Sequence, residues 1–376
     1  MELVRTFHPI GHGAFYTECF YENYPQDKPK YAVVYDCGCF EAAKEGTNPQ
    51  LYKHRIESVI DNVFPRDVVI DALFISHFHT DHINGVAHLR DRCDVKRIFI
   101  PVLTPDIVIE AYLYNALYNG GEGNDILSSF YNGEIKMVTE IQPYRNNTPP
   151  ENIQWHDITE EWTEISSSLP AGDGFCLPNY SPAWYYIPYN NHIKEQQLTA
   201  ELLFAPAVNN ERVDLEILSE IVKNKIGECK ATYEKVFTGK HNSYSMTLYS
   251  GNNCEKGCHI NCHIDSAVNR NYCITNCLYM GDFDAKKPAK FDALQNYYRK
   301  QWDRIGLIQV PHHGSINNYN DNLYDRPCVA IISVGETDKY GHPDVGVLKS
   351  LQQKKCLSLL VTEIFKTEQR FMINLE

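Results

Sequence analysis

Apolar and polar residues follow one another along the chain with the two periods that distinguish strands from helices. Mostly apolar runs, typical of strands, cover residues 3–10, 14–20, 31–38 and 68–74, and helical spacing covers residues 52–64. The run at 68–74 is nearly continuous, as in a strand that is buried on both faces. Strands that alternate with helices at this spacing predict a layered α/β architecture.

The rest of the chain continues this alternation around less regular segments. Helical spacing predicts helices at residues 105–117, 211–237 (as one long helix) and 288–302, and apolar runs predict strands at residues 95–101, 184–189, 245–249, 277–280, 305–310 and 329–334. We expect one domain over residues 1–376, with a variable insertion at about 119–200 and a cysteine-rich hairpin insert at 250–277.

Four potential metal ligands lie within six residues just after the apolar run at 68–74, namely His77, His79, Asp81 and His82. In an extended segment His77 and His79 point to the same side, whereas the adjacent Asp81 and His82 diverge and can serve a second position. Three imidazoles and one carboxylate suit zinc, manganese or iron better than calcium or magnesium. The alternative is a solvated polar loop, which does not explain why a strongly apolar strand delivers these residues together.

Three further polar groups stand at or after the ends of predicted strands. Asp282 follows a glycine, where its carboxylate could bridge two metals or instead cap the next helix. His312 and His313 follow the run at 305–310, and we expect one to bind a metal while the other binds the substrate's oxyanion or protonates the leaving group. His342 lies in a glycine-flanked loop that could also be a surface turn.

The spacing from His77 to His82 resembles the HxHxDH motif of the metallo-β-lactamase superfamily. This resemblance implies an α/β fold, a four-layer αβ/βα sandwich with one or two metals at the sheet edge, and usually a hydrolase. The order of further motifs resembles the ComEC-like branch, which includes the soluble domain of a DNA-uptake protein and standalone phosphorylcholine esterases. These motifs are residues 11–13, 34–38, 77–82, 242–245, 281–282, 310–315 and 340–343.

The resemblance also implies a role for each matching residue, with Asp282 as the bridging aspartate. Asp36 is expected to lie beneath the histidine loop rather than to bind a metal directly. The implied metal ligands are His77, His79, Asp81, His82, Asp282 and His312, and the implied catalytic residues are Asp81, His313 and His342.

Two features depart from the pattern of that branch. Residues 11–14 read Gly-His-Gly-Ala where the branch usually reads Gly-Gln-Gly-Asp, so a polar residue at that rim is lost and a histidine, His12, is gained. A third histidine for the first metal has no motif to mark it. The candidates are His156, His192 and His241.

Cysteines cluster in the insert at residues 254–277, where the spacing Cys-x3-Cys occurs on both sides of a loop. Four of them, Cys254, Cys258, Cys273 and Cys277, could hold a structural zinc. The spacing is not that of a standard zinc finger, so reduced packing cysteines and disulfides are the alternatives.

Charge and composition limit the partners. The chain carries 35 Lys and Arg against 48 Asp and Glu, a net charge of −13, which argues against binding nucleic acid through the overall field. A local basic cluster, Lys286, Lys287 and Lys290, could receive a phosphate or form a solvated helix start. No apolar segment is long enough to span a bilayer and the N-terminus lacks a secretory pattern, so we expect a soluble cytoplasmic protein with no membrane contact.

Together these features predict a metal-dependent hydrolase that acts on a phosphodiester substrate, either nucleic acid or a small molecule. Two divalent metals, zinc or manganese, would activate a hydroxide for the attack, and the cysteine-rich insert could add a structural zinc. An ester, lactone or phosphorylcholine-ester hydrolase on the same site is the alternative. A non-catalytic metal-binding regulatory subunit is less favoured, because almost every ligand position is filled.

Overall fold

A computed structural model describes most of the chain. The described ranges are residues 1–40, 50–145, 150–159, 168–177, 183–191, 198–199, 201–209, 212–237, 244–252, 262–264, 275–326, 328–336 and 340–375. The strands are β1 (Glu2–Phe7), β2 (Gly13–Tyr21), β3 (Tyr31–Cys39), β4 (Val69–Ile70), β5 (Ala72–Phe74), β6 (Asp94–Val95), β7 (Ile98–Pro101), β8 (Val138–Ile141), β9 (Trp155–Asp157), β10 (Ser168–Leu169), β11 (Gly174–Leu177), β12 (Trp184–Tyr189), β13 (Val208–Asn209), β14 (Arg212–Val213), β15 (Thr247–Asn252), β16 (Cys262–Ile264), β17 (Asn276–Tyr279), β18 (Ile305–Gln309), β19 (Val329–Ser333), β20 (Leu357–Val361) and β21 (Gln369–Asn374). The helices are α1 (Gln50–Val63), α2 (Thr80–Ile83), α3 (Val86–Arg92), α4 (Pro105–Tyr118), α5 (Asn124–Tyr131), α6 (Leu215–Asn224), α7 (Ile226–Phe237), α8 (Pro288–Tyr297) and α9 (Val345–Gln353).

Two large mixed sheets form the centre of the fold. Within the described ranges, one sheet has nine strands in the order β10-β8-β7-β5-β3-β2-β1-β21-β16, and the other has eight in the order β20-β19-β18-β17-β15-β12-β11-β9. In the first, β5 runs parallel to both β3 and β7. In the second, β17, β18 and β19 run parallel to one another. Each sheet therefore has a group of strands whose carboxyl ends point the same way.

Buried side chains divide the molecule into four layers. Between the sheets, Tyr16 of β2 stacks on Tyr279 of β17 with ring centroids 5.9 Å apart. On the outer face of the nine-stranded sheet, α1 and α3 pack through apolar residues such as Ile60. On the outer face of the eight-stranded sheet, α8 and α9 contribute Leu294 and Leu351. This order of helix, sheet, sheet and helix confirms the αβ/βα sandwich that the motif resemblance implied.

A buried ion pair connects the two sheets. Arg5 of β1 and Glu18 of β2 are fully buried side by side, with Arg5 Nε donating to Glu18 Oε1 at 2.7 Å. The same carboxylate accepts hydrogen bonds from the opposite sheet, from Tyr186 at 2.7 Å, Ser250 at 2.7 Å and Tyr279 at 2.8 Å. Because its polar atoms are so well matched, this cluster can lie in an otherwise apolar interior.

The long helix predicted at 211–237 is wrong, because α6 ends at Asn224 and α7 begins at Ile226. The break allows Leu218 of α6 and Tyr233 of α7 to pack into one apolar cluster with α4. Ile226, the first residue of α7, is 49% exposed at this break. Packing of the two helices with α4 thus takes precedence over the continuous helical spacing of the apolar residues.

The single strand predicted at 68–74 is also divided. Val69–Ile70 pairs with β6 in a separate two-stranded sheet, and only Ala72–Phe74 enters the nine-stranded sheet. Asp71 lies between them, and its Oδ2 accepts the backbone N–H of Ala32 at 2.8 Å. This hydrogen bond gives the Asp71 carboxylate a partner at the point where the predicted strand divides.

Two other predicted segments are placed as follows. The helix expected at 288–302 ends at Tyr297, and a short 3₁₀ turn covers Trp302–Arg304. The described parts of residues 119–200 supply strands to both large sheets. The division into one domain with two inserts stays a prediction. Of the helices in the described ranges, none is long and apolar enough to cross a bilayer.

Candidate metal centre

The carboxyl ends of the parallel strands meet at one edge of the sandwich and carry most of the predicted ligands. Strand β5 leads into residues 77–82, β17 into Asp282, and β18 into residues 312–313. Beyond β19 lies the loop that carries His342. These ends belong to both sheets, so the centre forms where the sheets meet.

Asp36 and Gly38 of β3 position the histidine loop. Asp36 accepts hydrogen bonds from the backbone N–H of Ser76 at 2.6 Å, from the Ser76 hydroxyl at 2.8 Å and from His82 Nδ1 at 2.8 Å. A Cβ atom at Gly38 would lie 2.6 Å from backbone atoms of Asp81 and His82, so only glycine allows the loop to lie this close. Asp36 lies beneath the loop, as expected from the sequence.

His77, His79 and Asp282 form the first group, with ligand atoms that all lie within 4.8 Å of one another. His77 Nδ1 donates to the Ser76 hydroxyl at 2.9 Å, and His79 Nε2 lies 3.4 Å from Glu110 Oε1. The other two nitrogens, His77 Nε2 and His79 Nδ1, are buried and have no hydrogen-bond partner among the described residues. One nitrogen of each ring is thus held by the protein and the other is left for a metal.

His82, Asp282 and His313 form a second group within the same limit. His82 Nε2 lies 3.4 Å from Asp282 Oδ1, and His313 Nε2 lies 3.2 Å from Asp81 Oδ2. The backbone carbonyl of Ser333 accepts a hydrogen bond from His313 Nδ1 at 2.8 Å, which fixes the ring and leaves Nε2 facing the carboxylates. Asp81 and His82, adjacent in the sequence, thus both lie near His313 or Asp282, and their role as ligands of a second metal stays a prediction.

His312 and His313 face different oxygens of Asp282. Both histidines adopt left-handed backbone conformations, with φ of 48° and 54°. His312 Nε2 lies 3.8 Å from Asp282 Oδ2, the same oxygen that is 3.7 Å from His77 Nε2, whereas His313 Nε2 lies 3.9 Å from Asp282 Oδ1. The left-handed turn lets the two adjacent rings approach different oxygens of one carboxylate, and which of the two histidines binds a metal stays a prediction.

This arrangement fits two divalent metals. Four ligands at zinc–nitrogen distances stand about 3.3 Å apart in a tetrahedron, and the separations given above run from 3.2 to 3.9 Å. Imidazole nitrogens and carboxylate oxygens suit zinc and also accommodate manganese. His312 lies beside the first group, with its Nε2 3.8 Å from Asp282 Oδ2, and its role as a metal ligand stays a prediction.

Burial and neighbouring charges shift the pKa values of the centre in opposite directions. Burial favours the neutral form of His82, but the carboxylates of Asp81, Asp36 and Asp282 outweigh it and raise the pKa of His82 well above its usual value. Burial alone would raise the pKa of Asp282, yet the neighbouring His312 and His82 lower it well below its usual value. The Asp282 carboxylate is therefore ionised at neutral pH, as metal binding requires.

His342 lies at the rim of the centre rather than within either group. It is half-buried, and its ring centroid lies 5.8 Å from that of His312. Among the candidates for a further ligand, His156 lies away from the metal groups, on β9, and pairs with Asp173 at 2.8 Å. His192 and His241 lie outside the described residues.

The other predicted sites are only partly described. Cys254, Cys258 and Cys273 lie outside the described residues, and Cys277 is buried between the two sheets. In the basic cluster, Lys287 Nζ lies 2.6 Å from Asp284 Oδ2, and burial lowers the pKa of Lys290 to about 8. The structural zinc stays a prediction.

His12 is the residue that the sequence marked only as a departure. Its imidazole belongs to a third group with Asp81 and His313. One feature of the sequence could have indicated this role. His12 lies between two glycines in the turn that joins two predicted strands, and such a turn places its side chain at the edge of the sheet.

Comparison with known proteins supports the same class of site. The family model of the metallo-beta-lactamase superfamily matches residues 26–168, a range that includes the histidine loop but ends before Asp282. A search of curated proteins found no match. The family match and the groups that could hold divalent metals together support a metal-dependent hydrolase.

Proposed function

We propose that this protein hydrolyses phosphodiesters with two divalent metals held on either side of Asp282. The proposal rests on the fact that the two oxygens of the Asp282 carboxylate face different histidines. Its Oδ2 faces His77 and His312, and its Oδ1 faces His82 and His313. A carboxylate so placed can bridge two ions.

Bound divalent ions would supply Lewis-acid polarisation of the phosphoryl group and would lower the pKa of a water molecule. The chain's own residues determine where those ions can lie. Asp36, Glu110 and the Ser333 carbonyl each hold one ring nitrogen of a ligand histidine, so the opposite nitrogen is directed into the centre. At the rim, His342 is available to hold a proton for the leaving group.

The choice of a phosphodiester rests on the resemblance to the ComEC-like branch and on the lysines after Asp282. Lys286 is exposed there, and Lys290, with a pKa of about 8, is still mostly charged at neutral pH. The net charge of −13 favours a small phosphodiester over a long nucleic acid, because a polyanion would be repelled by the overall field.

The test is hydrolysis by metal-stripped protein to which zinc or manganese is restored. The substrates are bis-p-nitrophenyl phosphate, single-stranded DNA, RNA and p-nitrophenyl acetate. Asp81→Asn removes a ligand of the second position, and Asp61→Asn is the matched control because Asp61 is a half-exposed residue of α1.

We expect metal-dependent cleavage of bis-p-nitrophenyl phosphate that Asp81→Asn lowers by at least about 100-fold, while Asp61→Asn leaves it unchanged. Cleavage of the acetate ester alone would replace the proposal with the ester-hydrolase alternative. Phosphodiester cleavage that survives chelation would overturn it.

A further inference from the structure

His12 differs from the other histidines of the centre in the way its ring is held. It lies in the turn between β1 and β2, is 5% exposed, and its ring centroid lies 3.7 Å from that of His313. Its Nε2 lies 3.9 Å from Asp81 Oδ2. Its buried Nδ1 has no hydrogen-bond partner among the described residues. Among the described residues, this buried imidazole thus contacts His313 and lies near Asp81, but no hydrogen bond holds its Nδ1.

We infer that His12 is an additional ligand of the second metal and makes that position selective for zinc over manganese. This inference rests on the proposed two-metal centre. It assigns a residue that neither the histidine motif nor the family match includes, since the matched range begins at residue 26.

The sharing of His313 decides between an added ligand and a separate third site. His12, Asp81 and His313 form one group, and His82, Asp282 and His313 form another. His313 Nδ1 is already bonded to the Ser333 carbonyl, so only its Nε2 can bind a metal. One nitrogen serves one ion, and the two groups must therefore describe a single position.

The additional imidazole changes the chemistry of that position. With His12, the second metal has three imidazoles, from His12, His82 and His313, beside the carboxylates of Asp81 and Asp282. Zinc accepts five ligands, and imidazole nitrogens favour it, whereas manganese prefers oxygen. Loss of His12 should therefore weaken zinc binding more than manganese binding.

Packing is the competing explanation, because the two stacked rings could serve only to fill space. His12→Phe separates the two roles, since phenylalanine keeps a flat ring against His313 but has no ligand atom. His8→Phe is the matched control: His8 is a buried histidine at the end of β1 that bonds Thr17 at 2.8 Å, away from the metal groups.

The experiment titrates metal-free protein with Zn²⁺ or Mn²⁺ against a chromophoric chelator and follows the melting temperature of each sample. We expect wild type and His8→Phe to bind two zinc equivalents with the same affinities. We expect His12→Phe to lose at least about tenfold in affinity for one zinc equivalent and less than about threefold for manganese.

The outcomes separate this inference from the proposed function. Two zinc equivalents bound with wild-type affinity by a folded His12→Phe would overturn the role of His12 and leave the two-metal centre intact. Equal losses for zinc and manganese would overturn the selectivity. A wild-type protein that binds no zinc and no manganese would overturn both this inference and the proposed function.

Discussion

The carboxylate of Asp36 lies 2.8 Å from Nδ1 of His82 and also accepts the backbone N–H of Ser76 at 2.6 Å. One side chain of β3 thus fixes both the path of the histidine loop and the orientation of a ring within it. Asp36 itself has a left-handed backbone, with φ of 55°, which directs its carboxylate under the loop. The metal centre therefore depends on a residue that does not face the metals.

Asp36→Asn should weaken metal binding without removing a ligand. An asparagine offers one acceptor oxygen and a donor NH₂, so it must turn a donor towards His82 or Ser76, both of which donate to Asp36. We expect zinc affinity to fall about 10- to 100-fold, as measured by competition with a chelator. Asp61→Asn should bind zinc like wild type. An unchanged zinc affinity in Asp36→Asn would show that the histidine loop keeps its conformation without Asp36, and would contradict the prediction.

Gly38→Ala should displace the histidine loop directly. Its Cβ would lie 2.6 Å from backbone atoms of Asp81 and His82, which cannot move away as a flexible side chain could. We expect a loss of about 1–3 kcal/mol in the free energy of unfolding, together with weaker zinc binding.

The control for this substitution is Gly227→Ala, at an exposed position near the start of α7 where a Cβ meets no atom within 4 Å. Alanine there should be neutral or stabilise the helix by up to about 1 kcal/mol. Urea unfolding of both variants tests the contrast, and equal effects would contradict it.

Glu18→Gln should destabilise the fold in a pH-dependent way. Burial raises the pKa of Glu18, but the Arg5 guanidinium outweighs it, so the pKa lies below its usual value of 4.5. The ionised carboxylate therefore stabilises the fold above pH 4.5, and this stabilisation is lost as the pH falls through the lower pKa of the folded state. Gln leaves Arg5 buried without its partner charge, at a cost of about 3–5 kcal/mol near pH 7.

The measurement compares urea unfolding of wild type and Glu18→Gln at pH 7 and at pH 4. The difference between the two proteins should be largest at pH 7 and smaller at pH 4, because at pH 4 the glutamate of the unfolded chain is already partly protonated, which favours unfolding of wild type but not of Glu18→Gln. A difference that grows as the pH falls would contradict the role of the ion pair.

Strand ends and their polar residues could be predicted from the sequence because both are local. The apolar strands and the residues after them identified the positions of His77, Asp282 and His313, and the structure places His77 and His313 each in a group with Asp282. The alternation of strands and helices predicted a layered α/β architecture, and the four-layer sandwich was implied by the motif resemblance.

The parts that could not be predicted depend on backbone conformation and on distant contacts. The left-handed turn at residues 312–313 decides which oxygen of Asp282 each histidine faces, and no side-chain period encodes it. The approach of His12 to His313 joins segments about 300 residues apart. The break at Lys225 reflects packing on α4 rather than local helical preference.

The central claim is a hydrolytic centre in which Asp282 joins two metals. Its most direct test adds zinc stepwise to metal-free protein and measures, in the same samples, bound metal and the rate of bis-p-nitrophenyl phosphate cleavage. The account predicts that the rate rises with the second zinc equivalent and that Asp282→Ala holds fewer than two equivalents and loses the activity. Full activity in the metal-free protein, or in Asp282→Ala, would contradict it.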